Sequence, residues 1–532
     1  MSDRITPQAL KELLRGAGEL ALLDAREEGV FGRSHLLFAA PLPLSQLELR
    51  VRALVPRFSC PVVWCDDGGG EADLAAQRMR AMGYGDVRVL SGGIAAWKDA
   101  GYEIFSGMHV PSKAFGEFIE HREDTPNISA DELNDLLTEG EDLVILDSRP
   151  MDEYARMNIP GGINVPGGEL VYRVRELAPS PDTLVVVNCA GRTRSIIGAQ
   201  SLINAGIPNK VVALRNGTMG WHLAGYGLEH GRRRTAPHVP AGHVTGARQQ
   251  AEAVANRFGV HRVSRATVAQ WWKEKKTRTL YVLDVRNPEE FYAGHMPGSR
   301  SAPGGQLVQA TDYYMATRNA RVVLVDDTEV RALMTASWLV QMGWEDVHVL
   351  EGGILPFGQE SGPERVDIPG LADIEAEGIT PAQLAEELAA GGVTVVDLAH
   401  SPPFRKGHIP GALWAVRARF GAELAGIQGA GNLVLTSSDG ALAWLAAPEA
   451  AAITGGRVRV LLGGTQAWEA AGQPLAQGRE GMVSTPDDVF PKPYDYDEGT
   501  EKEMQNYLDW EVNLVEQIER DGDTRFKFVP RN

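Results

Sequence analysis

The chain has 532 residues, too many for one hydrophobic core, so several domains are expected. Its 52 Lys and Arg against 70 Asp and Glu leave a net charge of −18, which argues against polyanion binding by the molecule as a whole and hence against a nucleic-acid partner. No apolar run is long enough to span a bilayer, Met1-Ser2-Asp3-Arg4 lacks the core of a secretory signal, and Cys60, Cys65 and Cys189 are too few for a disulfide framework. A cytoplasmic protein with no membrane partner is expected, in a compartment where a reactive thiol persists.

Along the chain one phrase recurs. It opens with a capped helix start at Ile5-Thr6-Pro7, Ile128-Ser129-Ala130, Val263-Ser264-Arg265 and Ile379-Thr380-Pro381, where Ser or Thr serves as N-cap. Ser129 with Glu132 and Thr380 with Gln383 have capping-box spacing. A strand ending in aspartate follows in each: Leu22-Leu23-Asp24, Ile145-Leu146-Asp147, Val282-Leu283-Asp284 and Val395-Val396-Asp397. Each copy closes with a strand, a tight turn and a helix, running to Trp97, Trp221, Phe357 and Trp468. A repeat of this length exceeds a solenoid unit, so each copy is expected to bury its own core.

The expected architecture is therefore α/β: four tandem domains, each a mainly parallel sheet flanked by helices, plus a C-terminal helix. The domains are placed at 1–105, 126–232, 260–365 and 376–478, with an extension over 479–532. Phe115, Phe118 and Ile119 mark a helix in the first linker, and a second linker helix is expected near Ala247 to Phe258. Arg232-Arg233-Arg234 reads as solvated linker or local counter-charge. In the extension, Met504, Tyr507, Leu508, Val512, Val515 and Ile518 keep helical spacing from about Glu501 to Arg520, so that helix should lie against a domain or a second subunit.

The stretch that carries chemistry is Leu184 to Gln200, LVVVNCAGRTRSIIGAQ. Val185 to Val187 read as a buried parallel strand, Cys189 to Arg194 as a six-residue loop and Ser195 onward as a helix. A thiol delivered to a helix N-terminus meets loop amides and a dipole that favour its thiolate. Arg192 and Arg194 add positive charge, so the loop suits a nucleophilic sulfur and a small anionic substrate.

Cys189-Ala190-Gly191-Arg192-Thr193-Arg194-Ser195 resembles the active-site loop of the rhodanese sulfurtransferases. Leu146-Asp147-Ser148-Arg149, Glu153-Tyr154 and Ile159-Pro160-Gly161-Gly162 are similar to that family's first signature, and Leu214-Arg215-Asn216-Gly217 with Trp221 to its last. The resemblance implies that Cys189 takes a sulfane sulfur from a donor such as thiosulfate, becomes a persulfide and passes the sulfur to a thiol or cyanide acceptor. It also implies that Asp147 ties down the loop after its strand and that Arg149 pairs with Glu153.

On this reading the amides of Ala190, Gly191, Arg192, Thr193, Arg194 and Ser195 point at the persulfide. The guanidinium groups of Arg192 and Arg194 hold the donor or the departing sulfite, with inward bracing of the loop as the alternative for Arg194. Aligning strand and helix together puts Asp66, Asp326 and Ser437 where the second copy has Cys189, so only that copy carries the thiol in register. Cys65 reads as a packed strand residue, because three neighbouring carboxylates would raise its pKa and repel an anionic donor. Asp66-Asp67 and Asp326-Asp327 lack the histidines and convergent spacing of a metal site, so neither a metal nor an organic cofactor is expected.

Three other functions compete. Related phosphatases use a longer cysteine loop; mercaptopyruvate sulfurtransferases typically have a less charged one; and three copies without the thiol suit a scaffold, as a homodimer or docked to a sulfur-metabolism protein.

Overall fold

The computed structural model describes residues 3–354, 360–427, 431–496 and 498–529. The Phe357 end of the third copy's last helix lies outside them. Four sheets form, one per copy, each built on five parallel strands in the same spatial order.

In the second copy a linker helix α1 (Val110–Glu123) comes first. It is followed by β1 (Asn127–Ile128), α2 (Ala130–Glu139), β2 (Leu143–Asp147), α3 (Met151–Arg156), β3 (Ile163–Asn164), α4 (Leu170–Leu177), β4 (Leu184–Asn188), α5 (Thr193–Asn204), β5 (Val211–Leu214) and α6 (Gly217–Leu223). The strands lie in the order β1-β5-β4-β2-β3, all parallel. The central β4 is flanked on both sides by hydrogen-bonded neighbours, and Val185, Val186 and Val187 are fully buried. β-Branched side chains on a strand covered on both faces account for this unbroken apolar run. The loop after β4 emerges at the carboxyl edge of the sheet, where parallel α/β folds place their ligands.

The helix starts follow the local chemistry of their caps. Ser129 Oγ accepts from the Glu132 amide at 3.1 Å while Glu132 returns a bond to the Ser129 amide at 2.6 Å, and Thr380 with Gln383 does the same. Thr6 and Ser264 cap theirs through Ala9 and Thr267.

The first and fourth copies bury cores of their own, but the second and third do not keep separate ones. One continuous apolar cluster runs from Leu170, Val187 and Leu202 of the second copy through the linker helix Ala241–Phe258 to Leu324, Trp338 and Leu339 of the third. Trp338 reaches across, its indole Nε1 donating to Ser201 Oγ at 2.8 Å. The faces of these two sheets away from the shared cluster bury smaller clusters of their own. The third copy also adds a strand, Thr317–Arg318, antiparallel to Leu20–Asp24 of the first copy's sheet.

The C-terminal helix α7 (Thr500–Asp521) buries Met504, Leu508, Leu514 and Ile518 against α1 and the second copy. Val512, expected on the apolar face, is 44% exposed. Leu514 is buried on that face, because the true stripe turns with the 3.6-residue period. Among the described residues no helix is long and apolar enough to cross a membrane.

Trp338→Ala should cost roughly 3–5 kcal/mol, as large-to-small core changes do. Because the cluster is shared, hydrogen exchange should show the second and third copies losing protection together.

Candidate functional site

β4 ends in Asn188, whose side chain donates to Asp147 Oδ2 (3.1 Å) and to Thr218 Oγ1 (3.0 Å) and whose carbonyl accepts from the Ser148 amide and hydroxyl at 2.8 Å. The loop that follows is braced by the segment opening α6. The Cys189 carbonyl accepts from the Thr218 amide (2.8 Å) and hydroxyl (3.0 Å), and the Ala190 carbonyl from the Met219 amide at 2.9 Å. Gly217 makes this approach possible: its φ is +56°, and a Cβ there would lie 2.4 Å from the Cys189 carbonyl oxygen.

The same brace occurs in every copy and fixes the register. Ile94 donates to the Asp66 carbonyl (2.9 Å), Thr218 to that of Cys189 (2.8 Å), Ile354 to that of Asp326 (3.0 Å) and Thr465 to that of Ser437 (2.9 Å). Asp66, Cys189, Asp326 and Ser437 are therefore equivalent.

What those residues do differs. The Asp66 carboxylate accepts from the amides of Gly68, Gly70 and Ala72 at 3.0–3.1 Å. The Asp326 carboxylate accepts from those of Glu329 (2.6 Å) and Arg331 (3.0 Å). Both carboxylates are thus held by their own loops, which accounts for these acidic positions without any ion. The matching amides around Cys189 are those of Gly191, Arg192, Thr193, Arg194 and Ser195. Ser195 gives its amide to the Arg192 carbonyl (3.1 Å), so it leaves the set the sequence suggested. Among the described residues, none accepts from the amides of Ala190 to Arg194. Cys189 Sγ lies 3.1 Å from Ser195 Oγ.

Cys189 is only 2% exposed, yet it lines a cavity of about 720 Å³. Arg194, Glu153, Lys113, Lys492 and Tyr507 line it too, with wall residues from the first copy, the third copy and the extension.

Against this geometry stand the similarities to known proteins. The family model described as Rhodanese-like domain matches residues 6–100, 129–224, 265–360 and 380–471. The chain belongs to the rhodanese-like domain family. A crystal structure titled thiosulfate sulfurtransferase from Pseudomonas aeruginosa is 49% identical, covering 99% of this chain and 100% of that one with a TM-score of 0.95. The thiosulfate sulfurtransferase GlpE of Pseudoalteromonas translucida is 26% identical over 89 residues, 16% of this chain and 81% of its own.

Within this rhodanese chain the expected roles of two arginines change. Arg149 does not pair with Glu153; its guanidinium closes a two-point fork on Asp147 (2.9 and 2.7 Å) and donates to the Met157 carbonyl at 2.7 Å, all fully buried. The same Asp–Arg fork recurs as Asp24–Arg26 and Asp284–Arg286 in copies without the thiol, so it braces the fold. Glu153 is thereby left for Arg194 (2.7 Å), which also donates to Gln306 of the third copy at 2.8 Å.

Arg192 is the second change. Its fork faces Glu117 of α1 (2.8 and 2.7 Å), with Glu120 and Asn216 as further partners, so its guanidinium braces the loop instead of opening toward a donor. Asn158 stands where the third and fourth copies have His295 and His408. Its Nδ2 donates to the Tyr154 carbonyl (3.2 Å), reproducing the bond each histidine makes to the carbonyl four residues back.

Several residues were missed. Lys113, Gly116, Glu117 and Glu120 share one face of α1, and a Cβ on Gly116 would lie 2.8 Å from Thr193 Cγ2. From α7, Glu511 is fully buried, accepting from Thr193 Oγ1 and paired with Lys113 Nζ at 3.1 Å. Lys113 also donates to Tyr507 Oη. Burial would lower the Lys113 pKa, but Glu511 and Tyr507 outweigh it and keep the ammonium charged. The available signal was a carboxylate interrupting the apolar stripe of α7.

Cys65 is fully buried with its Sγ toward Asp24 (3.7 Å); burial, then Asp24, pushes its pKa well up. Burial raises Cys60 to about 11. Brief alkylation of the native protein should therefore label Cys189 alone, with Cys60 and Cys65 reacting only after unfolding, as read by peptide mass spectrometry.

Proposed function

We propose that this chain is a sulfurtransferase that moves a sulfane sulfur from thiosulfate, through a persulfide on Cys189, to a thiol or cyanide acceptor. The observation that carries the reading is the cradle. Loops of the same build in two sister copies close their amides on an aspartate carboxylate, whereas the second copy puts at that position a thiol that lines a cavity, and among the described residues none accepts from its loop amides of Ala190, Gly191, Arg192, Thr193 and Arg194. Groups already arranged for negative charge stabilise a persulfide without reorganising.

In the first half-reaction the Cys189 sulfur attacks the outer sulfur of thiosulfate. A new S–S bond forms, the donor's S–S bond breaks, and sulfite leaves with the electron pair. In the second, the acceptor's nucleophilic atom takes the outer sulfur and the Cys189 thiolate departs, restoring the enzyme. The protein contributes position and charge: amides hold the terminal sulfur, Ser195 Oγ stands beside Sγ, Asp147 and Arg149 fix the floor, and Arg194, oriented by Glu153, supplies a cation beside the thiol. Asp66, Asp326 and Ser437 leave the other three domains without a thiol at the equivalent position, so they contribute structure. The cycle suits a reducing cytoplasm, where Cys189 stays available between turnovers.

Treatment with thiosulfate should add one sulfur atom to the Cys189 peptide, detected by intact and peptide mass. Cys189→Ser should abolish both this gain and thiocyanate formation from cyanide, and Cys65→Ser should leave both near wild type. Sulfur found on another residue, or none on the wild type, overturns the reading.

A further inference from the structure

Resting on the transferase reading above, we propose that Lys492 of the C-terminal extension binds the oxyanion end of the donor together with Arg194, making the site selective for a doubly charged donor.

The argument is one of charge around the cavity. Four cationic side chains line it, Lys113, Arg192, Arg194 and Lys492, together with the His109 imidazole. Lys113 faces one carboxylate, Glu511 (3.1 Å), and His109 faces one, Asp312 (2.7 Å). Arg192 faces two, Glu117 and Glu120. Arg194 and Lys492 share a single carboxylate: Glu153 Oε2 lies 2.7 Å from Arg194 and Oε1 3.2 Å from Lys492. Only here do two of these cations share one carboxylate, and Arg194 stands beside Cys189; of the other carboxylates lining the cavity, Glu28 pairs with Arg50, and Glu503 lines it as well. A dianion inside a low-dielectric cavity settles where the charge is unbalanced.

The third copy provides an internal control. Arg331 stands at the position of Arg194 and Glu290 at that of Glu153, and they pair at 2.7 Å. There, however, Glu169, Asp326 and Asp327 also surround the guanidinium, and no lysine joins it among the described residues. In the first copy Glu71 holds the position, and in the fourth Leu442. The copy that carries the thiol is the copy given a second cation, and that cation comes from outside the rhodanese repeat.

Lys492 is presented firmly. Proline flanks it on both sides, and its amide donates to Asp495 Oδ2 at 2.8 Å. Arg156 of α3 ties the segment down by pairing with Asp495 (2.5 Å), donating to the Tyr494 carbonyl (2.9 Å) and lying over the Tyr494 ring. The lysine side chain itself is 49% exposed, leaving its ammonium able to meet a ligand.

The test uses the full chain and two sulfane donors of the same chemistry but different charge, thiosulfate (dianion) and methanethiosulfonate (monoanion), with cyanide at saturation. Lys492→Met should raise KM for thiosulfate about tenfold or more with kcat within about twofold, while KM for methanethiosulfonate moves less than about threefold; Lys492→Arg should restore the thiosulfate KM. The salt dependence of kcat/KM for thiosulfate should also flatten in Lys492→Met. An unchanged thiosulfate KM, an equal effect on both donors, or Lys492→Arg as impaired as Lys492→Met overturns the inference. If the wild type gains no sulfur on Cys189, the transferase reading itself falls; if it does and only the Lys492 pattern fails, that reading stands.

Discussion

Backbone amides converging on one point demand a negative charge, and the whole chain is arranged around how that demand is met. A buried N–H left without an acceptor costs about 1–3 kcal/mol, so an anion that fills a loop of this shape is favoured. The first and third copies fill theirs permanently with Asp66 and Asp326. The second leaves the place to sulfur. On the proposed reading, the copies with an aspartate and the copy with the thiol differ in whether the anion is part of the chain or arrives as substrate, while the fourth copy has the neutral Ser437 there, its hydroxyl accepting from the Ala443 amide at 3.4 Å.

Holding such a loop open requires support from beyond its own domain. α1 contributes Glu117 and Glu120 to Arg192, and α7 contributes Glu511 to Thr193. Those carboxylates grip side chains of the loop while leaving its amides free, which a carboxylate at the Cys189 position could not do. Gly116 and Gly191 permit the contact, since a Cβ on Gly191 would lie 2.9 Å from Met219 Cε and 3.2 Å from Tyr507 Cε1. The loop of the second domain is accordingly held by the helices that precede the domain and end the chain.

Much of this was legible in the sequence, and the boundary has a physical reason. Local signals sufficed for the four-fold repeat, the parallel sheets, the capped helices at Ser129 and Thr380, and the single in-register thiol, because each depends on neighbours a few residues apart. The expected pairing of Arg149 with Glu153 failed for want of tertiary information: the two-residue fork to Asp147 is shorter and fully buried, and Glu153 faces another helix. Arg192 looked like a substrate arm because its partners, Glu117 and Glu120, lie some seventy residues upstream. The buried Glu511 was hidden inside a stripe that reads as ordinary amphipathic helix. Shared cores are equally invisible to a repeat count, since Trp338 has the composition of a core residue whichever domain it enters.

The first and third copies, which lack the thiol, take part in the same geometry. Gly32 of the first copy and Gln306 and Tyr313 of the third stand in the wall of the cavity that holds Cys189. The strand Thr317–Arg318 joins the third copy to the first copy's sheet, and the apolar cluster around Trp338 joins it to the second. The Cys189 loop emerges at the carboxyl edge of its sheet. Walling that edge with sister domains lowers the local dielectric, and each charge near the sulfur then counts for more. The first and third copies thereby wall the loop that carries Cys189, where Arg194 is oriented at once by Glu153 of its own domain and Gln306 of another.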